Sequence, residues 1–363
     1  MPELKPDLAC NNLPLLPPEM ELETKTVLKQ ATLTHRVLAE LKGYAEQLPS
    51  KDIILGTITL QEAKDSSEIE NIITTQDELY SQLASNQAVK NPAVKEVLAY
   101  RKALYKGFDI VKDKELLTVN TILEIQQELE QNNAGVRKLP GTKLMNDATG
   151  EVMYTPPDNE ETIYKLLSNL EHFINRADDE LDPLVKLAVM HYQFESIHPF
   201  YDGNGRTGRI MNVLYLVMEK LLSEPILYLS RYIIRHKSDY YRLLREVTFQ
   251  NNWEDWILFM LTAVEDTSRF TLQLSQSIIA ALDEVTARMK EKMPKYYSRE
   301  LAELLFTNMY IKIAHLVDAG IASRNIAANY LKKLEGIGVL QSKKVGREVI
   351  YINKPLYALL QEI

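Results

Sequence analysis

The sequence predicts a mainly α-helical protein with one short β-hairpin in its middle and a winged helix at its C-terminus. Three observations carry this. Apolar residues recur at helical spacing over much of the chain, as Val27, Leu28, Leu33, Val37, Leu38 and Leu41 do. A Gly-, Pro-, Thr- and Asp-rich stretch, Gly135–Asn159, interrupts that pattern with two short apolar fragments around a turn. Residues 296–363 read as three short helices followed by two strands with a basic connection.

In order, Leu13-Pro-Leu-Leu-Pro-Pro makes residues 1–22 an extended surface segment. Helical periodicity begins at Glu23 and is broken at Leu48-Pro-Ser. It resumes over Thr59–Ile72, Gln76–Gln87, Val94–Leu104 and Leu116–Leu129. In the middle stretch, Lys143-Leu-Met and Val152-Met-Tyr-Thr flank Asn146-Asp-Ala-Thr-Gly, a hairpin pattern. Helices then follow at Glu160–Asn175, Leu184–Phe194, Thr207–Leu222, Ser238–Leu244, Trp253–Val264 and Thr267–Met289, up to the charged joint Lys290-Glu-Lys-Met-Pro-Lys. In the C-terminal part, Leu301–Phe306, Ile311–Val317 and Ser323–Leu334 are the three helices. Val339-Leu-Gln-Ser and Glu348–Ile352 are the strands, and Lys343–Arg347 is the wing.

At 363 residues the chain exceeds the roughly 100–200 residues of one domain. Three units are expected: an N-terminal helical region (1–110), a central domain with its helical extension (111–290) and the winged helix (291–363). Hydrophobic residues at 45% and charged residues at 25% suffice for a sizeable core. The net charge of −8 argues against a nucleic-acid coat, although seven Lys/Arg against two acids over 321–354 leave that segment at +5. Cys10 is the only cysteine, so no intrachain disulfide forms. The N-terminus has no secretory pattern, and apolar runs such as Val213–Met218 fall far short of the ~20 residues of a membrane span. The expectation is a cytoplasmic protein with no membrane partner.

The chemistry is concentrated in His198-Pro-Phe-Tyr-Asp-Gly-Asn-Gly-Arg-Thr-Gly-Arg209. Gly203-Asn204-Gly205 precedes a helical run, and helix N-termini bind anions through unpaired amides and the helix dipole. Glycine lets phosphate oxygens approach the backbone. Arg206 and Arg209 lie on one side of the first helical turns, and the arginine fork suits phosphate. Asp202 supplies a hard oxygen for Mg²⁺. His198 has the pKa range of a general base. Together they indicate phosphoryl or nucleotidyl transfer to a hydroxyl. His191, by contrast, reads as a packed helix histidine, and no His/Cys cluster has zinc spacing.

This segment resembles the Fic signature, His-x-Phe-x-Asp/Glu-Gly-Asn-Gly-Arg-x-x-Arg, at every specified position. The resemblance extends to the hairpin ending Tyr154-Thr-Pro-Pro, similar to the family's target-clamping flap. It also covers the N-terminal region and the winged-helix companion. It implies a Fic helical core and a protein adenylyltransferase. His198 would be the general base that deprotonates a Ser, Thr or Tyr hydroxyl of a target protein as it attacks the α-phosphate of ATP. Asp202 would hold Mg²⁺. Gly203, Asn204, Gly205 and Arg206 would cradle phosphates, Arg209 would hold the γ-phosphate, and Phe200 would anchor the loop. Tyr240 and Tyr241 fall where relatives place aromatics beside the base; packing within a helix is an equal reading.

Ser66-x-x-x-Glu70-Asn71 resembles the family's inhibitory motif. Glu70 would then pair bidentately with Arg209 and displace the γ-phosphate. Self-modification, removal of AMP by the same Glu and homodimerisation are open by resemblance. The winged helix leaves DNA contact open, with protein contact favoured. The rival functions are a DNA-binding regulator with a Fic sensor, and transfer of another phosphate-linked group. Gly205 and Arg209 disfavour the kinase-like relatives.

Overall fold

The computed structural model describes residues 5–48, 51–84, 88–146, 149–176, 181–345 and 348–361. Pro49 and Ser50, Asp147 and Ala148 at the hairpin tip, and Gly346 and Arg347 of the wing lie outside the described residues.

Local chemistry sets the helix starts. Thr24 caps α1 (Lys25–Glu46) by accepting the Val27 amide. α2 spans Lys51–Ile69. Thr75 and Glu78 form a capping box on α3 (Gln76–Leu83). Asn91 caps α4 (Pro92–Lys114), whose proline occupies the first turn. Thr118 caps α5 (Val119–Glu130). Strands β1 (Leu144–Met145) and β2 (Val152–Tyr154) pair antiparallel, Leu144 opposite Tyr154, as the hairpin pattern predicted. Asn159 caps α6 (Glu160–Asn175), and Asp182 caps α7 (Pro183–Ile197). Then follow α8 (Asn204–Met218), α9 (Ser230–Arg235), α10 (Lys237–Gln250) and α11 (Trp253–Lys292).

The core is built around α7 and α8. Every residue from Leu184 to Phe194 and from Arg206 to Leu216 is buried. A helix buried on all sides has little amphipathic pattern to show, and packing rather than periodicity holds it. α8 is surrounded by α2, α4, α5 and α7, while α11 packs across α1 and α7. The Trp256 indole on α11 donates to the Ala188 carbonyl of α7 at 2.8 Å and is fully buried. The N-terminal segment is strapped onto this core. Leu16 exchanges two hydrogen bonds with the Asn169 carboxamide, and Gln193 donates to the Pro14 carbonyl.

The C-terminal module comprises α12 (Arg299–Thr307), β3 (Tyr310–Ile311), α13 (Ile313–Asp318), α14 (Arg324–Gly336), β4 (Leu340–Val345), β5 (Glu348–Asn353) and α15 (Lys354–Gln361). Its antiparallel sheet has the order β3-β5-β4, the winged-helix arrangement. It packs on α11 and α2 through α12.

Several expectations need correction. α2 starts at Lys51, eight residues before the expected helix, and ends at Ile69, so Glu70 lies in the turn beyond it. Ile311 is strand: it pairs with Tyr351. The segments Trp253–Val264 and Thr267–Met289 are one 40-residue helix, because Thr267 and Ser268 are buried and Thr267 satisfies its hydroxyl on the Ala263 carbonyl. α9 and α15 were not anticipated; each is too short to declare a period. Among the described residues no helix is long and apolar enough to cross a membrane.

Trp256→Ala removes the largest side chain between α11 and α7. It is expected to destabilise the protein by about 3–5 kcal/mol, as other buried Trp truncations do. Equilibrium urea unfolding measures this, and a loss below about 1 kcal/mol would mean that the two helices do not depend on that contact.

Candidate active site

α7 ends at Ile197, and His198 follows as its C-cap in left-handed backbone geometry, φ 47°. That conformation is costly for a residue with a side chain, so its surroundings must enforce it. Arg137 does so. Its buried guanidinium donates through Nε to the His198 carbonyl at 2.8 Å and through Nη2 to the carbonyls of Pro157 and Ile197. Its own amide donates to the Pro199 carbonyl. One arginine thus ties the flap's exit to the turn that carries the histidine. Phe200 is fully buried, and the Asn204 carboxamide closes the loop by bonding both the amide and the carbonyl of Phe200 at 2.8 Å.

The His198 imidazole is thereby held mostly out of water. Burial pushes its pKa down to about 4, and Arg137 adds to the depression; Glu70, the Glu195 backbone and Asp202 oppose it. The ring is neutral at physiological pH and available to take a proton.

α8 begins immediately after this loop. Its N-cap, Gly203, has φ 78°, and no side chain caps the first turn. Asp202 Oδ1 accepts the Gly203 amide at 2.7 Å, while its side chain stays 78% exposed. The carboxylate of Glu70 lies over this helix end. A Cβ on Gly205 would overlap Glu70 Oε1, so only glycine admits the carboxylate there. An anion thus rests on an uncapped helix N-terminus.

Arg209 completes the arrangement from the second turn of α8. It is fully buried. Its Nε donates to Ser66 Oγ, and its Nη2 donates to the Ser66 carbonyl and to Glu70 Oε1, each at 2.8 Å. The expected bidentate pair is therefore corrected: one Glu70 oxygen meets Arg209 Nη2, and Ser66 engages Nε and Nη2 because α2 presents its hydroxyl and carbonyl to the same guanidinium. Burial alone would raise the Glu70 pKa, but Arg209, Arg206 and His198 overcome it and hold it below the usual carboxylate value. Despite burial, Glu70 holds the Arg209 pKa above its ordinary value.

Arg206 faces elsewhere. It pairs with Glu96 of α4, with Glu130 at the end of α5 at 2.9 Å, and with Asp202 at 3.5 Å. Tyr240 is buried and shares a 2.8 Å hydrogen bond with His191, which also stacks on Trp256; His191 is the packed histidine expected. Tyr241 is 45% exposed and edge-on to Tyr240. The two tyrosines are thus split between core and surface.

Two residues were missed. Arg137 sits in a loop rich in turn residues, where a lone arginine reads as solvated. Glu195, three before His198, is buried with Oε1 unpartnered, and burial raises its pKa to about 7 against the opposing pull of Arg209. The available signal was that Glu195 is the one acid of α7. Among the described residues no group of three or more His, Cys, Asp or Glu is placed to hold a metal.

Comparison with known proteins gives three family matches: Fic/DOC family N-terminal over residues 28–109, Fic/DOC family over 116–216, and the C-terminal domain of SoFic-like protein adenylyltransferases over 281–356. The protein adenylyltransferase Fic of Nematostella vectensis is 25% identical over 173 residues, covering 47% of this chain and 38% of that protein. That of Aedes aegypti is 31% identical over 124 residues, covering 33% and 24%. The chain spans well under half the length of the curated relatives it matches. A Fic family crystal structure from Desulfovibrio desulfuricans superposes with TM-score 0.60 at 19% identity, covering 93% of this chain and 98% of that one. At that identity the likeness is one of fold.

The buried ring makes a direct prediction. In an NMR pH titration His198 stays neutral at pH 6, with an apparent pKa near 4. An apparent pKa at or above the ordinary ~6.5 would contradict the burial.

Proposed function

The chain belongs to the Fic/DOC family, and within it we propose that the protein transfers AMP from ATP to Ser, Thr or Tyr hydroxyls of target proteins. The observation that supports this best is a neutral buried imidazole in the same loop as an uncapped helix N-terminus that already holds a carboxylate. A base and an anion-binding end, fixed side by side, are what a hydroxyl attack on a phosphate requires.

In this reading His198 takes the hydroxyl proton as the oxygen attacks the α-phosphate. The first-turn amides of α8 hold phosphate oxygens, AMP stays on the target and pyrophosphate leaves. The Asn204 side chain serves the loop rather than the ligand, since both ends of its carboxamide are engaged. Arg206, paired with Glu96 and Glu130, braces α8 and adds positive potential. Asp202 would hold Mg²⁺. The residue fits, because an exposed carboxylate beside a phosphate site is the usual single protein ligand of that ion, which neutralises phosphate charge when bound. Tyr241, exposed, is the better placed of the two tyrosines to meet the adenine.

Glu70 is the brake. With its carboxylate on Arg209 and over Gly205, the γ-phosphate loses its partner and meets a like charge. Target proteins in the cytoplasm, self-modification and a homodimer belong to the same proposal, as does the division into 1–110, 111–290 and 291–363. Protein contact is preferred to DNA for the winged helix, because its wing residue Lys343 is already paired with Asp77 of α3 at 3.1 Å.

Incubation with ATP and Mg²⁺ followed by mass spectrometry tests the reading. Glu70→Gly should raise AMP incorporation about 10- to 100-fold, the value of one charge-assisted contact. His198→Ala in that background should lower it by about 10²–10⁴. No added AMP in Glu70→Gly would sink the proposal.

A further inference from the structure

We propose that the cavity between α2, α3, α4 and the first turns of the winged-helix module binds a small organic anion with a flat apolar body, held by Arg101 and His315. The cavity encloses about 340 Å³, within the range of roughly 300–1,000 Å³ typical of small-ligand sites. It lies at a junction of units, where such sites concentrate. It is distinct from the His198 loop, none of whose residues line it, and its wall on α2, which includes Gly56, ends at Leu60, about 9 Å of helix before Ser66.

The lining is chemically mixed. Leu55 and Leu60 of α2, with the rings of Tyr80 and Tyr105, give an apolar and aromatic wall. Arg101 and His315 supply the polar end. Arg101 Nε and His315 Nδ1 are both buried without a hydrogen-bond partner, and among the described residues no carboxylate lies within ion-pair distance of Arg101. The guanidinium only leans over the Tyr105 ring, at 5.5 Å. Both residues are half-buried, but these two nitrogens are shielded from water, and shielded polar atoms are nearly always satisfied. Arg101 supplies the one positive charge of this polar end and His315 a neutral imidazole, so the cavity offers hydrogen-bonding atoms beside a cation, a setting that favours an anion. Asp52, the one carboxylate in the lining, is exposed at the rim, where solvent screens it.

The position has a consequence. The helix that walls the cavity carries Ser66 near its other end, and Glu70 just beyond. A ligand bound to this form of the protein stabilises it by mass action, and α2 with it. The binding itself is independent of the transfer chemistry.

Calorimetric titration of the full chain tests it, with benzoate in one arm and phenyl phosphate in the other to separate a carboxylate from a phosphate head. One of them is expected to bind saturably at one per chain and to raise the melting temperature. Arg101→Gln should weaken it at least about tenfold. Gly56→Leu should do the same by filling the space. A Cβ there meets nothing nearer than 3.8 Å, and leucine favours the helix, so this variant keeps its fold. Absence of saturable binding by either anion would overturn the proposal, since a cavity that holds only water gives none. So would binding that persists unchanged in Gly56→Leu, which would place the anion elsewhere, such as the N-terminus of α8.

Discussion

Arg209 is a permanent cation with almost no access to water, and a buried guanidinium must be matched donor by donor or the fold suffers. Here the matching is supplied by one short stretch of chain: Ser66 through its hydroxyl and carbonyl, and Glu70 through one oxygen. Because α8 is enclosed by α2, α4, α5 and α7, this contact joins the N-terminal region to the centre of the molecule. The same contact puts a carboxylate over the N-terminus of α8, which no side chain caps. Structural need and proposed regulation therefore meet in a single ion pair. A phosphate competing for Arg209 must replace both the charge and the geometry that Glu70 provides.

The rest of α2 is fixed so that this contact is made without search. Glu62 is fully buried and accepts from Tyr100, from the Ser230 amide and from the Ser230 hydroxyl at 2.6–2.9 Å. Burial raises its pKa to about 7, and these donors and Arg209 only partly offset that. Asp65 accepts from the buried Tyr228 hydroxyl. These bonds anchor the helix to α4 and to the chain entering α9. Ser66 and Glu70 are held in register by residues with no part in the chemistry, which is how preorganised sites keep their geometry. On the other side of α8, Arg137 does the equivalent for His198 through backbone carbonyls.

The fold was legible where a segment had one face to bury or a cap to declare. α6 runs over the residues that its period indicated, and the Asn159 cap explains its start. The hairpin and the winged helix were readable from turn residues and alternation. What failed was local signal overridden by packing. The stretch read as two helices parted at Glu265 and Asp266, yet Thr267 and Ser268 just beyond are buried and one helix runs through. α2 carries apolar and polar residues all round and is enclosed on several sides, so its start could not be read from a stripe. In the site, the residues of the 198–209 segment were identifiable because their types and spacing are constrained together. Their partners were not. That Asn204 bonds Phe200, that Arg206 meets Glu96 and Glu130, and that Ser66 shares Arg209 with Glu70 are facts of tertiary packing between distant parts of the chain. Glu70 could be named from sequence, but its seat over Gly205 could not.

In the proposed function charge, not bulk, holds the site closed: the Glu70 carboxylate pairs with Arg209 and lies over Gly205 of α8. Glu70→Gln keeps the shape and removes the charge. The measurement is the rate of AMP incorporation by Glu70→Gln beside the parent and Glu70→Gly, followed by intact-protein mass spectrometry with ATP and Mg²⁺. If charge is the cause, Glu70→Gln transfers AMP at a rate close to that of Glu70→Gly. If Glu70→Gln is as silent as the parent while Glu70→Gly is active, the block is steric and the electrostatic explanation is wrong.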